Sequence, residues 1–126
     1  MLAPIAIVVN GVKETPRDWD HVKSELRFTK EFYEGLYRIE ESSRLWVIFG
    51  FHKTRGAQMR VRPRRAKDDS LVGIFASRGI QRPNRLGLTL VTLVAARKGV
   101  LVVRGLDAFD GSPVYDVKPY DADYDR

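Results

Sequence analysis

The alternation of apolar and polar positions along the chain predicts a protein built mainly from β-strands. The clearest strand covers residues 44–52 (RLWVIFGFH), where both alternating sets of positions are apolar until the last two residues. A strand that is apolar on both faces is typical of a buried position in the middle of a sheet. We therefore expect this strand to be central.

Other apolar or alternating segments predict the remaining strands, at residues 4–9, 25–28, 59–63, 71–77, 86–97, 99–106 and 112–120. Arginines at alternate positions of MRVRP (residues 59–63) indicate a strand with one exposed face. Lys98-Gly99 predicts a tight hairpin between the two segments that flank it. In the last segment, Val114 and Val117 are three positions apart, which places them on opposite faces of a regular strand.

Helical signals are few. Phe32, Leu36 and Ile39 recur at near-helical spacing, with Gly35 between them, and predict one or two helical turns. Seven or eight short strands with so little helix indicate a mainly β fold. A curled or barrel-like sheet is the expected architecture because it avoids long open edges. The length fits a single domain over residues 1–126.

The composition excludes several kinds of chemistry. The chain has no cysteine, which rules out disulfides, thiolate metal sites and a cysteine nucleophile and fits a reducing cytoplasm. Its two histidines lack a cluster of carboxylates at metal-ligand spacing, so we expect no metal site. Neither a dinucleotide fingerprint, a phosphate loop nor a nucleophile elbow occurs. The apolar start reads as a first strand, not as a signal peptide, and no run approaches the ~20 apolar residues of a membrane span.

Positive charge is concentrated in the middle of the chain. The formal net charge is +6, and residues 53–85 contain ten basic and two acidic side chains, a balance of +8. The rest of the chain contains twelve basic and fourteen acidic side chains, a balance of −2. This segment is either a solvated strand face with charged turns or a surface that meets phosphates. The second interpretation makes Arg60, Arg62, Arg64, Arg65 and Lys67 the candidate RNA-binding residues.

Two polar stretches between strands carry the candidate chemistry. Residues 73–91 (GIFASRGIQRPNRLGLTLV) hold three arginines around the rigid Pro83-Asn84 pair, and residues 105–120 (GLDAFDGSPVYDVKPY) hold several aspartates around a tight turn. The arginines either neutralise these aspartates or form a cradle for a carboxylate or phosphate, which guanidinium groups bind in a bidentate manner. The second stretch is either a plain chain reversal or part of a site.

Three stretches, together with their spacing, resemble one protein family. They are EESSRLWVIFGFH (residues 40–52), GIFASRGIQRPNRLGL (residues 73–88) and LVVRGLDAFDGSPVYDVKPY (residues 101–120). They resemble the TrmO (YaeB/TsaA-like) family, whose hallmarks are the blocks G-[VI]-F-A-[ST]-R…R-P-N-P-[IL]-G and L-D-x-x-D-G-[ST]-P-V-x-D-[IV]-K-P-Y. The resemblance covers roughly residues 4 to 120. Arg85 departs from it, because the family has a second proline at this position.

The resemblance implies a fold, a cofactor and a reaction. The fold would be a small buckled β-barrel of about seven strands, unlike the Rossmann fold of other methyltransferases. The cofactor would be S-adenosylmethionine, and the protein would commonly be a cytoplasmic homodimer. The reaction would be the N6-methylation of threonylcarbamoyladenosine next to the anticodon of certain tRNAs. The alternative is a non-catalytic β module that binds S-adenosylmethionine or RNA.

The family motifs also imply which residues form the site. The cofactor-binding positions would be Arg17, Phe51, His52, Arg78, Arg82, Pro83, Asn84, Leu88, Leu106, Asp107, Ala108, Phe109, Asp110, Gly111 and Ser112. Phe51 and Phe109 are candidates for contact with the sulfonium, and the candidate general bases are Asp110, Asp116, His52 and Tyr120. If the two blocks share one site, Arg82 or Asn84 should lie within reach of the turn at residues 107–112.

Overall fold

A closed six-stranded antiparallel barrel forms the centre of the computed structural model, which describes residues 2–64, 67–68 and 70–126. The described residues form the strands β1 (Ala6–Val9), β2 (Lys23–Phe28), β3 (Arg44–Gly50), β4 (Arg60–Val61), β5 (Val72–Gly73), β6 (Leu86–Arg97), β7 (Val100–Arg104) and β8 (Pro113–Pro119). The barrel order is β1-β2-β7-β6-β3-β8, and β8 closes the barrel by pairing with β1. The remaining strands, β4 and β5, form a separate two-stranded ribbon. The mainly β, barrel-like prediction is confirmed.

The prediction that β3 is central is also confirmed, because β3 pairs with β6 on one edge and β8 on the other. Leu45, Val47 and Phe49 point into the core and are 1% exposed or less. The opposite face of β3 is apolar because the C-terminal segment covers part of it. Trp46 donates its indole Nε1–H to Asp125 Oδ2 at 3.0 Å and packs against the Tyr120 ring.

A β-bulge in β8 overturns the prediction for Val114 and Val117. Val47 is opposite Val117 and Phe49 is opposite Val114, so the register between β3 and β8 shifts by one residue. Tyr115 is the extra residue of this bulge. Both valines therefore turn towards the barrel interior: Val114 is fully buried and Val117 packs against the core.

The segment predicted as a strand over residues 71–77 is only partly one. After β5 the chain forms a 3₁₀ turn over Ile74–Ala76. Ile74 is buried, and its carbonyl accepts hydrogen bonds from the Ser77 hydroxyl at 2.9 Å and from Arg82 Nη1 at 3.1 Å. These side-chain donors lie later in the chain, which is why the apolar pattern alone did not predict the turn.

The predicted hairpin between β6 and β7 is present at Lys98-Gly99, and the helical turns near residues 30–43 are 3₁₀ turns over Lys30–Leu36 and Ile39–Glu41. Gly99 has a φ of +73°, a conformation that favours glycine. A Cβ at Gly99 would lie 2.3 Å from the ring of Tyr33, so the ring packs directly on the glycine backbone. This contact attaches the 3₁₀ segment to the hairpin.

We expect Gly99→Ala to lower the free energy of unfolding by about 3 kcal/mol, from left-handed strain plus a steric clash with Tyr33. Gly11→Ala is the matched control, because Gly11 has a φ of +71° but no atom within 4 Å of its built Cβ. It should cost only about 1 kcal/mol. Urea denaturation measures both, and equal losses would show that the Tyr33 contact contributes nothing.

Candidate active site

The two polar stretches meet at the end of the barrel where β3 ends and β6 begins. A cleft of about 510 Å³, which we name the arginine cleft, is lined by Arg78, Arg82 and Leu88 from the first stretch and by Asp107 from the second. Arg82 and Asp107 therefore border the same cleft, in line with the predicted shared site. Asn84 does not line this cleft.

A second cleft of about 250 Å³, the aromatic cleft, continues from the first. Phe51, Arg78 and Asp107 line both, and the aromatic cleft adds Trp19 and Phe109. The Trp19 and Phe109 rings meet edge to face with centroids 5.7 Å apart. The arginine cleft and this more apolar cleft therefore adjoin, and their linings differ in chemistry.

The early loop forms a third cleft, of about 560 Å³, which we name the loop cleft. Arg17 and Trp19 line it together with Arg64, Thr89 and Asp107. Asp107 thus borders all three clefts, and its Oδ1 accepts a hydrogen bond from the Thr89 hydroxyl. This carboxylate stands at the centre of the candidate site.

His52 and Ser112 form a hydrogen-bonded pair in the aromatic cleft. The buried Ser112 hydroxyl donates to the Phe109 carbonyl at 2.7 Å and lies 3.2 Å from His52 Nδ1. A serine hydroxyl has a single proton, so the longer contact is a bond that His52 Nδ1–H donates to Ser112 Oγ. In neutral His52 this leaves the lone pair on Nε2, where it can accept a proton.

The motif arginines are held by backbone carbonyls. Arg82 Nη1 donates to the carbonyls of Ile74, Ser77 and Gly79 at 3.0–3.1 Å, and Arg78 Nη2 donates to that of Leu88. Among the described residues, the arginines that form salt bridges are Arg27, Arg38 and Arg97, all outside this site. The arginines therefore do not neutralise the aspartates of residues 107–116, which favours the cradle interpretation.

Comparison with known proteins places this geometry in a family. The family model of the tRNA-methyltransferase O N-terminal domain matches residues 8–126. The chain belongs to this family, TrmO. It is 36% identical over 121 residues to the tRNA (adenine(37)-N6)-methyltransferase of Mus musculus, covering 91% of this chain and 28% of that protein.

This chain covers a larger share of two further related proteins. The chain is 33% identical over 130 residues to the S-adenosyl-L-methionine-binding protein of Archaeoglobus fulgidus, covering 99% of this chain and 92% of that protein. A crystal structure of TrmO from Pseudomonas aeruginosa has a TM-score of 0.79 at 28% identity, with 99% of this chain and 57% of that chain covered. The chain thus spans about a quarter of the mouse protein and about half of the Pseudomonas protein.

Most of the cofactor residues that the TrmO resemblance implies lie around one cavity. The arginine and aromatic clefts are lined by Phe51, His52, Arg78, Arg82, Leu88, Asp107, Ala108, Phe109 and Ser112, and Arg17 lines the loop cleft. The five that line none of the three clefts are Pro83, Asn84, Leu106, Asp110 and Gly111. Leu106 has no exposed surface and packs in the core, so its side chain is structural.

Three of the four candidate bases lie outside the clefts. Asp110 Oδ1 accepts the backbone N–H groups of Gly11 and Asn10 at 3.0 and 2.9 Å, and these bonds lower the pKa of the carboxyl. Asp116 Oδ2 pairs with Lys118 Nζ at 3.2 Å on the outer face of β8. The Tyr120 N–H donates a hydrogen bond to the carbonyl of Arg44 at 3.0 Å. Arg44 is the first residue of β3, at the end of that strand away from the clefts. His52 remains.

Phe109 is less suited to a sulfonium contact than its residue type suggested. Lys53 Nζ lies 4.8 Å from the centroid of its ring, so a cation already occupies this aromatic face. Phe51, whose ring packs edge to face on Phe49 with centroids 5.4 Å apart, has no such neighbour among the described residues. The structure therefore favours Phe51 as the aromatic wall.

Arg85, which replaces the second proline of the TrmO pattern, has a structural role. Its φ is +52°, its N–H donates to the Arg82 carbonyl at 3.2 Å, and Nη1 donates to Thr54 O at 3.1 Å. Proline, with φ fixed near −65° and no N–H, could neither adopt this conformation nor make the backbone bond. Arg85 thus has a backbone conformation that proline could not adopt, and its side chain links this loop to the loop that contains Thr54.

The predicted basic strand is partly confirmed as an exposed row. Arg60, Arg62 and Arg64 are exposed, whereas the residues between them, Val61 and Pro63, are partly buried. Arg64 lines both the arginine and the loop clefts, so the row leads to the candidate site. Lys67 is exposed as well, and Arg65 lies outside the described residues.

Sequence reasoning missed several residues of the clefts, including Trp19, Lys53, Gly87 and Thr89. A Cβ on Gly87 would lie 2.6 Å from the Phe49 ring, so this glycine lets the ring form part of the cleft wall. Tryptophan in an otherwise polar loop was the one available signal. The others depend on strand pairing that no local pattern reports.

The described part of the chain contains no group of three or more His, Asp or Glu side chains that could hold a metal ion. Within that same part, none of the helices has the length and apolar character needed to cross a membrane.

We expect Arg82→Ala to release the loop over residues 74–79, because the bonds of one charged donor to three carbonyls are lost. Limited digestion with trypsin, read by mass spectrometry, should show cleavage after the exposed Arg78 at least about tenfold faster. Arg97→Ala, which breaks a salt bridge with Glu25, is the control and should leave this rate unchanged. An unchanged cleavage rate in Arg82→Ala would mean that the order of this loop does not depend on the Arg82 side chain.

Proposed function

We propose that the protein transfers a methyl group from S-adenosylmethionine to N6 of an adenine in tRNA. The observation that carries this proposal is the joined pair of clefts, in which two fixed arginines and Asp107 face an aromatic end that contains His52. The names of the mouse and Archaeoglobus relatives support the reaction and the cofactor. The finer acceptor, threonylcarbamoyladenosine next to the anticodon, is part of the proposal.

The residues present fit S-adenosylmethionine. The arginine cleft has the size of a small-molecule site, and Gly87 keeps its wall flat where a Cβ would displace the Phe49 ring. Arg78 offers a guanidinium group for the cofactor carboxylate. Asp107 can accept hydrogen bonds from ribose hydroxyls or from the amino group, and Phe51 can contact the sulfonium.

Catalysis would combine positioning with removal of one proton. When bound, S-adenosylmethionine supplies a methyl group that leaves its sulfur by in-line displacement. The residues of the clefts would orient the acceptor nitrogen towards that methyl group, which would be the main contribution of the protein. His52 takes the proton that the acceptor nitrogen loses, through Nε2, while Ser112 Oγ holds the ring by accepting from Nδ1.

The loop cleft offers two guanidinium groups to the acceptor. The threonyl group of threonylcarbamoyladenosine ends in a carboxylate, and the loop cleft carries Arg17 and Arg64 beside the acidic side chains of Asp18, Asp20 and Asp107. A guanidinium group there can bind that carboxylate in a bidentate manner. This part of the proposal concerns substrate choice, whereas the proton transfer by His52 applies to any adenine acceptor.

A module that binds S-adenosylmethionine without transferring its methyl group is the second candidate. It is favoured by the Archaeoglobus relative, which this chain covers almost completely and whose name describes binding only. Incubation with methyl-labelled S-adenosylmethionine and a tRNA that lacks the methyl group separates the two. Label in the tRNA supports the enzyme, and binding by calorimetry without label transfer supports the module. Equilibrium sedimentation of the same sample tests the predicted homodimer.

We expect His52→Ala to lower the rate of methyl transfer by about 10²–10⁴-fold, the usual contribution of a general base. Calorimetry should find the affinity for S-adenosylmethionine within a few-fold of that of the wild type. Asp116→Asn and Tyr120→Phe are the controls, because both side chains lie outside the clefts, and they should keep the wild-type rate. Retention of the rate in His52→Ala would exclude His52 as the base.

We expect tRNA binding to weaken steeply with salt, since arginine contacts with phosphates release counterions. Each of Arg60→Ala, Arg62→Ala and Arg64→Ala should reduce the slope of log affinity against log salt by about one. Arg27→Ala is the matched control, because Arg27 is exposed but pairs with Glu25 at 2.8 Å. Binding that does not depend on salt would contradict the basic row as the RNA surface.

A further inference from the structure

Phe75 is a large aromatic side chain that the fold holds in solvent. It is the middle residue of the 3₁₀ turn over Ile74–Ala76, in which successive side chains point about 120° apart. Ile74 is 1% exposed and fixes the turn in the protein, whereas Phe75 is 74% exposed. Burial of Ile74 therefore directs the neighbouring ring outwards.

Arg82 supports this ring and connects it to the candidate site. Its Cζ lies 5.8 Å from the centroid of the Phe75 ring, within the range of a cation–π contact. Nη1 of the same guanidinium is fixed by three carbonyls, and Arg82 also lines the arginine cleft. Phe75 thus stands on a fixed cation at the margin of the cleft.

The surrounding charge decides what can cover Phe75. It lies within the segment 53–85, whose balance is +8, and Arg60, Arg62, Arg64 and Arg78 are exposed nearby in the chain. A second copy of the same face would bring like charges together. A partner with anionic groups and a flat aromatic surface would match both features, and single-stranded RNA has both.

We propose that Phe75 is a stacking platform for an unpaired RNA base that neighbours the acceptor nucleotide. This inference rests on the proposed function, because it assumes that RNA enters the arginine cleft. Bases in a duplex have both faces covered, whereas bases of a loop can stack on aromatic side chains. The platform selects a loop substrate by shape, and the arginine row holds the backbone.

The test uses an anticodon stem–loop RNA that carries fluorescent 2-aminopurine next to the acceptor adenine, on either side in two separate probes. Binding to the wild type should quench one probe through stacking. Phe75→Ala should abolish this quenching and weaken RNA binding by about 5- to 100-fold, the usual effect of removing one stacked base. Phe75→Trp should restore both the quenching and the affinity for RNA. The salt slope should stay the same in Phe75→Ala, because no charge is removed.

Tyr37→Ala is the matched control: Tyr37 is 78% exposed and lies between the 3₁₀ turns Lys30–Leu36 and Ile39–Glu41, outside the three clefts. It should bind RNA as the wild type does. The inference is overturned if Phe75→Ala binds RNA with unchanged affinity and quenching, or if sedimentation shows that it changes the oligomeric state instead. Label transfer by the wild type together with unchanged Phe75→Ala binding would reject the platform alone, whereas no RNA binding by the wild type would reject the proposed function.

Discussion

The pairing of Phe49 with two different strands is the interaction on which the candidate site depends. Phe49 is opposite Gly87 of β6 on one edge of β3 and opposite Val114 of β8 on the other. Gly87 follows the three arginines of the first stretch, and Val114 follows the aspartate turn of the second. One residue in the middle of the barrel wall therefore pairs with Gly87 and Val114, which are 27 positions apart in the sequence (114 − 87).

The bulge in β8 belongs to the same constraint. Without Tyr115 as an extra residue, Val114 and Val117 could not both face the core, and the register of β3 with β8 would place the aspartate turn differently. The alternation in β3 was strong enough to predict a central strand. The bulge was unpredictable because it is a property of the pair of strands, and either strand alone reads as regular.

The candidate site divides in a similar way. Residue types left the roles of the two stretches open, and the family resemblance predicted that they share one site; Arg78, Arg82 and Asp107 do line one cleft. The roles of single residues were not predictable. Asp110 already accepts hydrogen bonds from two backbone N–H groups, and Lys53 lies against the ring of Phe109. These partners come from segments far away in the chain, so only the fold shows which polar groups are still available to a ligand.

The motif arginines donate to neutral carbonyl groups and not to carboxylates, and this has an electrostatic consequence. An arginine that pairs with glutamate, as Arg97 does with Glu25, is fixed in position but loses much of its field. Arg78, Arg82 and Arg85 are fixed by neutral carbonyls of Leu88, the 74–79 loop and Thr54, so each keeps its full charge. Preorganised charge of this kind attracts anions without the entropic cost of ordering flexible side chains on binding. In the arginine cleft, Asp107 supplies a negative group beside the positive charges of Arg64, Arg78 and Arg82. This separation of charge suits the proposed cofactor, which would carry charges of both signs.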